Sequence, residues 1–122
     1  MASRLIGVLV KAVRCAAWIL LIAIAVLSLV PPTLRPETGT PHIFEHAAIF
    51  AATGAAFGFG YSGRAPLTMM GLVIFAAAVE AAQLLVPGRH ARLSDFVVDA
   101  LACCAGVAAA VQVVRRWPNR QA

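Results

Sequence analysis

The chain contains four long apolar runs, separated by short stretches that hold most of its charged and turn-forming residues. The runs cover residues 12–30, 44–61, 67–86 and 96–114. Each has about 18 to 20 residues, enough for a helix to cross a hydrocarbon core of about 30 Å. A soluble four-helix bundle would show a polar stripe along every helix, and these runs show almost none. The pattern predicts an all-α membrane bundle with four transmembrane helices.

The composition agrees with a membrane protein and argues against other classes. Of the 122 residues, 61% are hydrophobic and 12% are charged, and the mean hydropathy is +0.87. Ordinary soluble domains carry about twice that share of charged residues. The net charge of +5 arises from basic residues at the ends of the apolar runs, without the basic patch of a nucleic-acid-binding protein. The length suits a single domain, residues 1–122, whose partner is the lipid bilayer and not a nucleic acid.

The distribution of cations predicts the orientation in the membrane. Seven lie on the side of the two termini and of the turn after the second run: Arg4, Lys11, Arg14, Arg64, Arg115, Arg116 and Arg120. Three lie on the other side: Arg35, Arg89 and Arg92. The positive-inside rule therefore places the N and C termini in the cytoplasm. The first run is long enough to span and lacks a well-placed cleavage site, so we expect an uncleaved signal anchor.

Small residues recur at helical spacing in the second and fourth runs. Gly54 and Gly58 are four apart in the second run, and Ala102, Gly106 and Ala110 follow the same spacing in the fourth. Such residues let two helix backbones approach closely in lipid. They predict close helix packing, and a homo-oligomer formed through these faces remains an alternative. The short turn after the second run predicts that the second and third helices are antiparallel neighbours.

Polar residues at helical spacing mark the stretch 80–99. Glu80 and Gln83 are three apart before the loop, and Asp95 and Asp99 are four apart after it, so each pair shares one helix face. The stretch predicts a helical hairpin with acidic groups on both arms. Carboxylates at membrane depth are costly and are usually functional. Asp95 is equally suited to capping a helix N-terminus.

The second run brings a histidine to the same depth. By the helical rise of 1.5 Å per residue, Glu80 lies about 9 Å below the outer boundary, and Asp99 and His46 about 4 to 7 Å below it. Arg89 and Arg92 lie in the loop above this layer. Because an unpaired buried carboxylate is costly, we expect Arg89 to pair with Asp95 or Glu80.

The positions of these residues resemble the VanZ-like family of small bacterial membrane proteins. The resemblance covers about residues 42–110 and rests on His46, Phe50, Gly54, Glu80-x-x-Gln83, Pro87-Gly88-Arg89, Asp95, a polar residue at 99 and Gly106. It implies a multi-pass protein of the bacterial plasma membrane with a role in the cell envelope. The family's name comes from a teicoplanin-resistance protein, so the resemblance also implies a link to glycopeptide resistance.

Two positions depart from the family pattern. Members usually carry an Asp-Lys pair just before the histidine, where this chain has His42 and Ile43. Members usually carry Asn where this chain has Asp99. The first change removes a cation from the acidic layer and the second adds an anion. If the layer binds a ligand through its charge pattern, either the ligand or the affinity would therefore differ from that of typical members.

The first functional hypothesis is recognition of an amphiphile in the outer leaflet. Arginine forks match phosphate or carboxylate groups, and the acidic layer would meet amines or hydroxyls. The ligand would be a lipid-linked or glycopeptide-type molecule. The candidate binding residues are His46, Glu80, Gln83, Arg89, Asp95 and Asp99. No metal motif stands out, and no cofactor is expected.

Two alternatives remain open. An integral membrane hydrolase would use Glu80, Asp99 and His46 as general acid and base, with Arg89 stabilising negative charge. Ser94 is the candidate serine nearest to this layer. A small proton-coupled exporter is the other alternative, although the polar residues lie in the outer third and not at the midplane that alternating access favours.

Overall fold

Four α-helices make up most of the chain. The computed structural model describes residues 1–34, 39 and 41–117; Arg35 and Arg120, which entered the charge count, lie outside this part. Within it the helices are α1 (Ala2–Leu29), α2 (His42–Gly60), α3 (Ala65–Gln83) and α4 (Leu93–Arg116), with short 3-10 turns at Pro32–Leu34 and Ser62–Arg64. The all-helical prediction is confirmed. The four helices are long and apolar enough to cross a membrane, which indicates a multi-pass membrane protein.

The outer surface of the bundle is apolar. Large hydrophobic side chains are exposed along all four helices, among them Ile19, Ile22, Phe44, Ile74 and Leu101. Soluble monomers seldom expose contiguous apolar surface on this scale. In a bilayer the same side chains face acyl chains, which are as apolar as leucine. The surface therefore favours contact with lipid.

Helices α2 and α4 form the central pair. They run parallel, and their glycines lie between them: a Cβ added at Gly54 would collide with the main-chain carbonyl of Cys103, and one at Gly106 with that of Ala51. Gly58 likewise faces the fourth helix. The prediction of close packing through small residues is confirmed. The same faces are buried within one chain, so a homo-oligomer would need a different surface.

The other two helices flank this pair. Helix α1 packs on α2 and α3 packs on α4, whereas α2 makes far less contact with α3 than with α4. The second and third helices are antiparallel neighbours, as expected, but their contact is small because each packs mainly on α4. The buried core contains Phe50, Leu72 and Val107. We call the end with residues 84–92 and the starts of α2 and α4 the hairpin end, and the end with residues 61–64 the turn end.

The loop at the hairpin end begins earlier than the apolar run indicated. Helix α3 ends at Gln83, and the main-chain N–H groups of the next three residues bond three residues back instead of four. Pro87 disfavours helical geometry in the residue before it, so the chain tightens and leaves the helix. A turn follows in which the Arg89 N–H donates to the Val86 carbonyl at 3.1 Å. Gly88 has a φ of 79°, the left-handed geometry of a type II turn after proline.

Candidate functional site

His46 and Asp99 form a buried contact between α2 and α4 at the hairpin end. His46 Nδ1 lies 3.3 Å from both carboxylate oxygens of Asp99. Asp99 is completely buried and His46 is 5% exposed, so the contact offsets part of the cost of burying a carboxylate. The imidazole also lies against His42 and Phe50, with ring centroids 4.2 and 6.0 Å away. With Nδ1 turned to Asp99, Nε2 is the ring nitrogen left for other chemistry.

Glu80, on α3, makes a hydrogen bond at the start of the neighbouring helix α4. Its Oε2 accepts a hydrogen bond of 3.2 Å from the main-chain N–H of Arg92, which is the N-cap residue of α4. In a capping box this N–H is met by an acidic side chain three residues later, the position of Asp95. Glu80 takes that place from another helix. Its second oxygen, Oε1, is buried and has no hydrogen-bond partner among the described residues, so half of the carboxylate is unsatisfied.

Gln83 and Arg89 both bind the C-terminal end of α1. Gln83 Nε2 donates to the main-chain oxygen of Ser28 at 3.4 Å. The Arg89 guanidinium donates to the Val30 oxygen at 2.8 Å from Nη2 and 3.3 Å from Nε, and to the Leu27 oxygen at 3.2 Å. The last carbonyls of a helix have no partner within it, and a cation there is favourable. The two side chains therefore stabilise the end of α1.

This arrangement corrects the expected role of Arg89. The expectation was an ion pair with Asp95 or Glu80, but the part of the chain that the structure describes contains no such pair. The described hydrogen bonds of the guanidinium go to main-chain carbonyls instead. The reason is that α1 ends beside the loop and offers several oxygens at once. Glu80 does meet an arginine of the loop, but it meets the main chain of Arg92.

A cavity of about 500 Å³ opens beside these contacts. Its walls come from the loop and from the first turns of α2 and α4, and they include His90, Arg92, Ser94 and Asp95. The side chains of His90, Arg92 and Asp95 make no hydrogen bond or ion pair with any residue in the described ranges. Helix α4 has no side-chain cap, so Asp95 makes no capping hydrogen bond, but its position in the first turn does place its charge at the positive end of the helix dipole. A cation and an anion thus line one cavity without a hydrogen bond or ion pair to a described residue.

A smaller cavity of about 150 Å³ lies between α1 and α2. It is bordered by Ser28, Glu45 and His46 together with four apolar side chains. Ser28 is 3% exposed, and it shares this space with the imidazole. Within the described residues, no group of three His, Cys, Asp or Glu side chains is close enough to hold a metal ion.

Comparison with known proteins adds no family assignment. A scan against protein-family models, a search of curated proteins and a search of solved structures each found no match for this chain. The resemblance to the VanZ-like family therefore stays a prediction from the residue pattern.

All six candidate residues lie at the hairpin end, but they divide into separate contacts. His46 meets Asp99, Gln83 and Arg89 meet α1, Glu80 meets the start of α4, and Asp95 lines the larger cavity. Sequence reasoning did not single out Ser28 or His90. The sequence position of His90, directly after Arg89 in the loop, could have marked it as a candidate. The position of Ser28 is a weaker indication, because a serine at the end of an apolar run is common.

Proposed function

We propose that this protein is a VanZ-like integral membrane protein of the bacterial cell envelope that binds an amphiphile at its hairpin end. The ligand class is a lipid-linked or glycopeptide-type molecule that carries both anionic and amine groups. In this proposal the hairpin end faces outward, and binding contributes to resistance against teicoplanin-type glycopeptides. The resemblance described above supports the family, and the hairpin-end cavity supports the ligand class.

The observation that carries the proposal is the pair of unused opposite charges in the larger cavity. Arg92 and Asp95 both line it, and neither side chain bonds to a described residue. A guanidinium fork matches phosphate or carboxylate, and a carboxylate beside it matches an amine. A volume of about 500 Å³ falls within the range of small-molecule sites. The cavity therefore suits a headgroup of mixed charge.

The deeper polar residues support the site instead of forming it. The His46–Asp99 contact joins α2 to α4, and Arg89 holds the end of α1. These contacts fix the three elements that surround the cavity. Binding sites work best when such supporting contacts hold the binding groups in place. In this proposal the ligand contacts Arg92 and Asp95, and Glu80 supports the site through its hydrogen bond with the main-chain N–H of Arg92.

The distribution of cations supports the outward orientation of this cavity. The turn end and the two terminal helix segments carry Arg4, Lys11, Arg14, Arg64, Arg115 and Arg116, whereas the described cations of the hairpin end are Arg89 and Arg92. Cytoplasmic loops carry the excess of Lys and Arg. The hairpin end therefore belongs on the outer side, where lipid-linked envelope precursors and glycopeptides meet the membrane.

Binding by purified protein in lipid nanodiscs tests the proposal. The probes are teicoplanin and a polyprenyl-diphosphate-linked peptidoglycan precursor, compared between the parent protein, Arg92→Gln and Asp95→Asn. Loss of one charge-assisted hydrogen bond should weaken binding by roughly tenfold. Arg116→Gln, a cation at the opposite end, is the matched control and should bind like the parent. Equal binding of both probes by the parent and the two cavity variants would refute the proposal.

Analysis of precursors in cells separates recognition from chemistry. Cells that express the parent protein or Glu80→Gln are compared for their pools of lipid-linked precursors. Unchanged pools with altered glycopeptide binding support recognition. A pool that changes with Glu80→Gln indicates that a bond is made or broken, which is the alternative function.

A second candidate function, hydrolysis of a lipid-linked ester or phosphoester, is supported by the smaller cavity. Ser28 and His46 border the same space of about 150 Å³, and Asp99 holds His46 through Nδ1. In a serine hydrolase a carboxylate orients the imidazole, whose other nitrogen takes the serine proton. Ser28 Oγ would attack the carbonyl or phosphoryl centre, His46 Nε2 would pass the proton to the leaving group, and water would release the acyl or phosphoryl group.

Labelling with a fluorophosphonate tests this second candidate directly. An activated serine in the parent protein should react, and Ser28→Ala should remove the label. Ser94→Ala, the serine that lines the larger cavity, should keep it and serves as the control. Absence of label on the parent protein, or label that survives Ser28→Ala, excludes Ser28 as a nucleophile.

A further inference from the structure

The turn end of the bundle is strongly cationic. The carboxylates that the structure describes all lie at the hairpin end: Glu45, Glu80, Asp95 and Asp99. Arg14 from α1 and Arg64 from the turn lie together at the opposite end. With no carboxylate among the described residues near them, these two guanidinium groups are not neutralised by the protein. Such a concentration of positive charge favours an anionic partner.

Arg14 is held in one orientation by two contacts, and one of its two partners is itself held by a hydrogen bond. Its Nε donates to the Gly60 carbonyl at 2.8 Å, one of the free carbonyls at the end of α2. Its guanidinium carbon lies 4.6 Å from the ring centre of Tyr61, within cation–π range. The Tyr61 hydroxyl in turn accepts a hydrogen bond of 3.1 Å from Trp18 Nε1. The two Nη groups of Arg14 make no hydrogen bond with a described residue and remain available for a ligand.

Two adjoining hollows lie at this end of the bundle, and Arg14 lines the first of them. A pocket of about 380 Å³ is lined by Arg14, Gly60, Tyr61 and Arg64. A groove of about 440 Å³ starts at the same Tyr61 and Arg64 and continues between α1 and α3. Its apolar walls include Trp18, Leu21, Phe57, Leu67, Leu72 and Phe75. From Leu67 to Phe75 the groove follows α3 for about 12 Å at the helical rise.

We propose that the pocket and the groove together bind one anionic phospholipid from the leaflet at the turn end. The phosphate lies between Arg14 and Arg64, which bind it through charge-assisted hydrogen bonds. One acyl chain lies in the groove between α1 and α3. The groove is apolar along the helices and cationic at one end, so it matches the charge and polarity of an anionic lipid along its whole length. A lipid reaches it laterally from the bilayer without crossing a polar surface.

Trp18 provides a direct reporter of this site. Its indole lines the groove and is 50% exposed, so a heavy atom on a bound acyl chain would quench its fluorescence. Trp117, the second tryptophan of the chain, is replaced by phenylalanine to give a parent protein with one signal. The protein is reconstituted in phosphatidylcholine vesicles with increasing fractions of acyl-brominated phosphatidylglycerol. Half-maximal quenching is expected at a lower fraction than with brominated phosphatidylcholine.

Two variants separate the phosphate contact from the acyl-chain contact. Arg64→Gln removes a cation whose side chain is exposed and has no described partner, and it should raise the phosphatidylglycerol midpoint roughly fivefold. Arg4→Gln, on the same side but outside the pocket, is its control. Gly71→Phe places a ring in the groove that Gly71 lines, and its Cβ meets nothing within 4 Å. It should abolish quenching by both lipids, whereas Gly7→Phe, also in open space, should change nothing.

The outcomes decide the proposal. Equal midpoints for the two brominated lipids in the parent protein would overturn it, as would an unchanged midpoint in Arg64→Gln. Quenching that survives Gly71→Phe would show that the acyl chain lies outside the groove, which also overturns it. The result is independent of glycopeptide binding at the hairpin end, since the two sites lie at opposite ends of the bundle.

Discussion

The contact between α2 and α4 at Gly106 allows a quantitative prediction. Gly106→Ala adds a single methyl group at a point where two helix backbones touch. Its Cβ would lie 2.7 Å from the main-chain nitrogen of Ala55 and still closer to the main-chain oxygen of Ala51. Both neighbours are backbone atoms of a regular helix and cannot rotate away. The helices must therefore move apart by roughly 1 Å to restore ordinary contact distances of about 3.5 to 4 Å.

The cost follows from two opposing terms. Overpacking of a tight interior costs about 1 to 3 kcal/mol. Separation of the helices also lengthens the His46–Asp99 contact, which at 3.3 Å is already long for a hydrogen bond, so we expect the upper part of that range. Replacing glycine by alanine within a helix gains about 1 kcal/mol. The net loss in the free energy of unfolding should be roughly 2 kcal/mol.

Unfolding in mixed micelles with increasing dodecyl sulfate, followed by far-ultraviolet circular dichroism, measures this loss. Gly71→Ala is the matched control, because its Cβ meets nothing within 4 Å and the variant keeps only the gain in helix propensity. It should be as stable as the parent or more stable by up to about 1 kcal/mol. The packing argument is refuted if Gly106→Ala proves at least as stable as Gly71→Ala.

Three further predictions concern the hairpin end. Glu80→Gln should leave the protein level unchanged, because the amide oxygen still accepts the hydrogen bond from Arg92, but it should abolish the envelope phenotype. Leu72→Ala, a core change in the same helix, should instead lower the free energy of unfolding by about 2 to 5 kcal/mol. A drop in protein level for Glu80→Gln, or a full phenotype, would make Glu80 a structural residue. Arg89→Lys should lower the free energy of unfolding by about 1 to 2 kcal/mol, since an ammonium cannot reproduce the fork on the end of α1; Arg92→Lys is the control, and equal stability of the two variants would contradict the assignment. His90→Cys, made in a protein from which the exposed Cys15 has been removed, should react with an impermeant maleimide added outside the cell. Reaction only from the cytoplasmic side would show that the topology is the reverse.

The helices could be predicted from the sequence, but their exact ends could not. The apolar runs located all four because membrane depth imposes a minimum length on each span. Helix α1 begins at Ala2, ten residues before the first run, because Arg4 and Lys11 interrupt the apolar pattern without stopping a helix. Helix α3 ends at Gln83, before its run is over, because Pro87 acts on the residues that precede it. Hydropathy shows which residues can lie in lipid, whereas the backbone geometry near each helix end determines where that helix stops.

The polar residues could be assigned to one end, but not to their partners. Glu80 acts like a capping residue because it accepts a hydrogen bond from a main-chain N–H of another helix. Such a contact between helices has no signature in the sequence. Arg89 found carbonyls at the end of α1 because that helix stops beside the loop. Ser28 shares the buried face of α1 with Ala17 and Ile24. In a helix that is apolar all round, no contrast between faces marks which one is buried.

The pairing of α2 with α4 has a consequence for biogenesis. The partners His46 and Asp99 are 53 residues apart in the chain, and all of α3 is made between them. At about 5 to 20 residues per second, Asp99 is synthesised about 3 to 10 s after His46, so α2 waits about that long for its partner. During this interval its histidine and its glycine face are open to lipid, to insertion factors and to membrane proteases. The central pair therefore cannot form before α4 is inserted, and chains that terminate before α4 are expected to be removed.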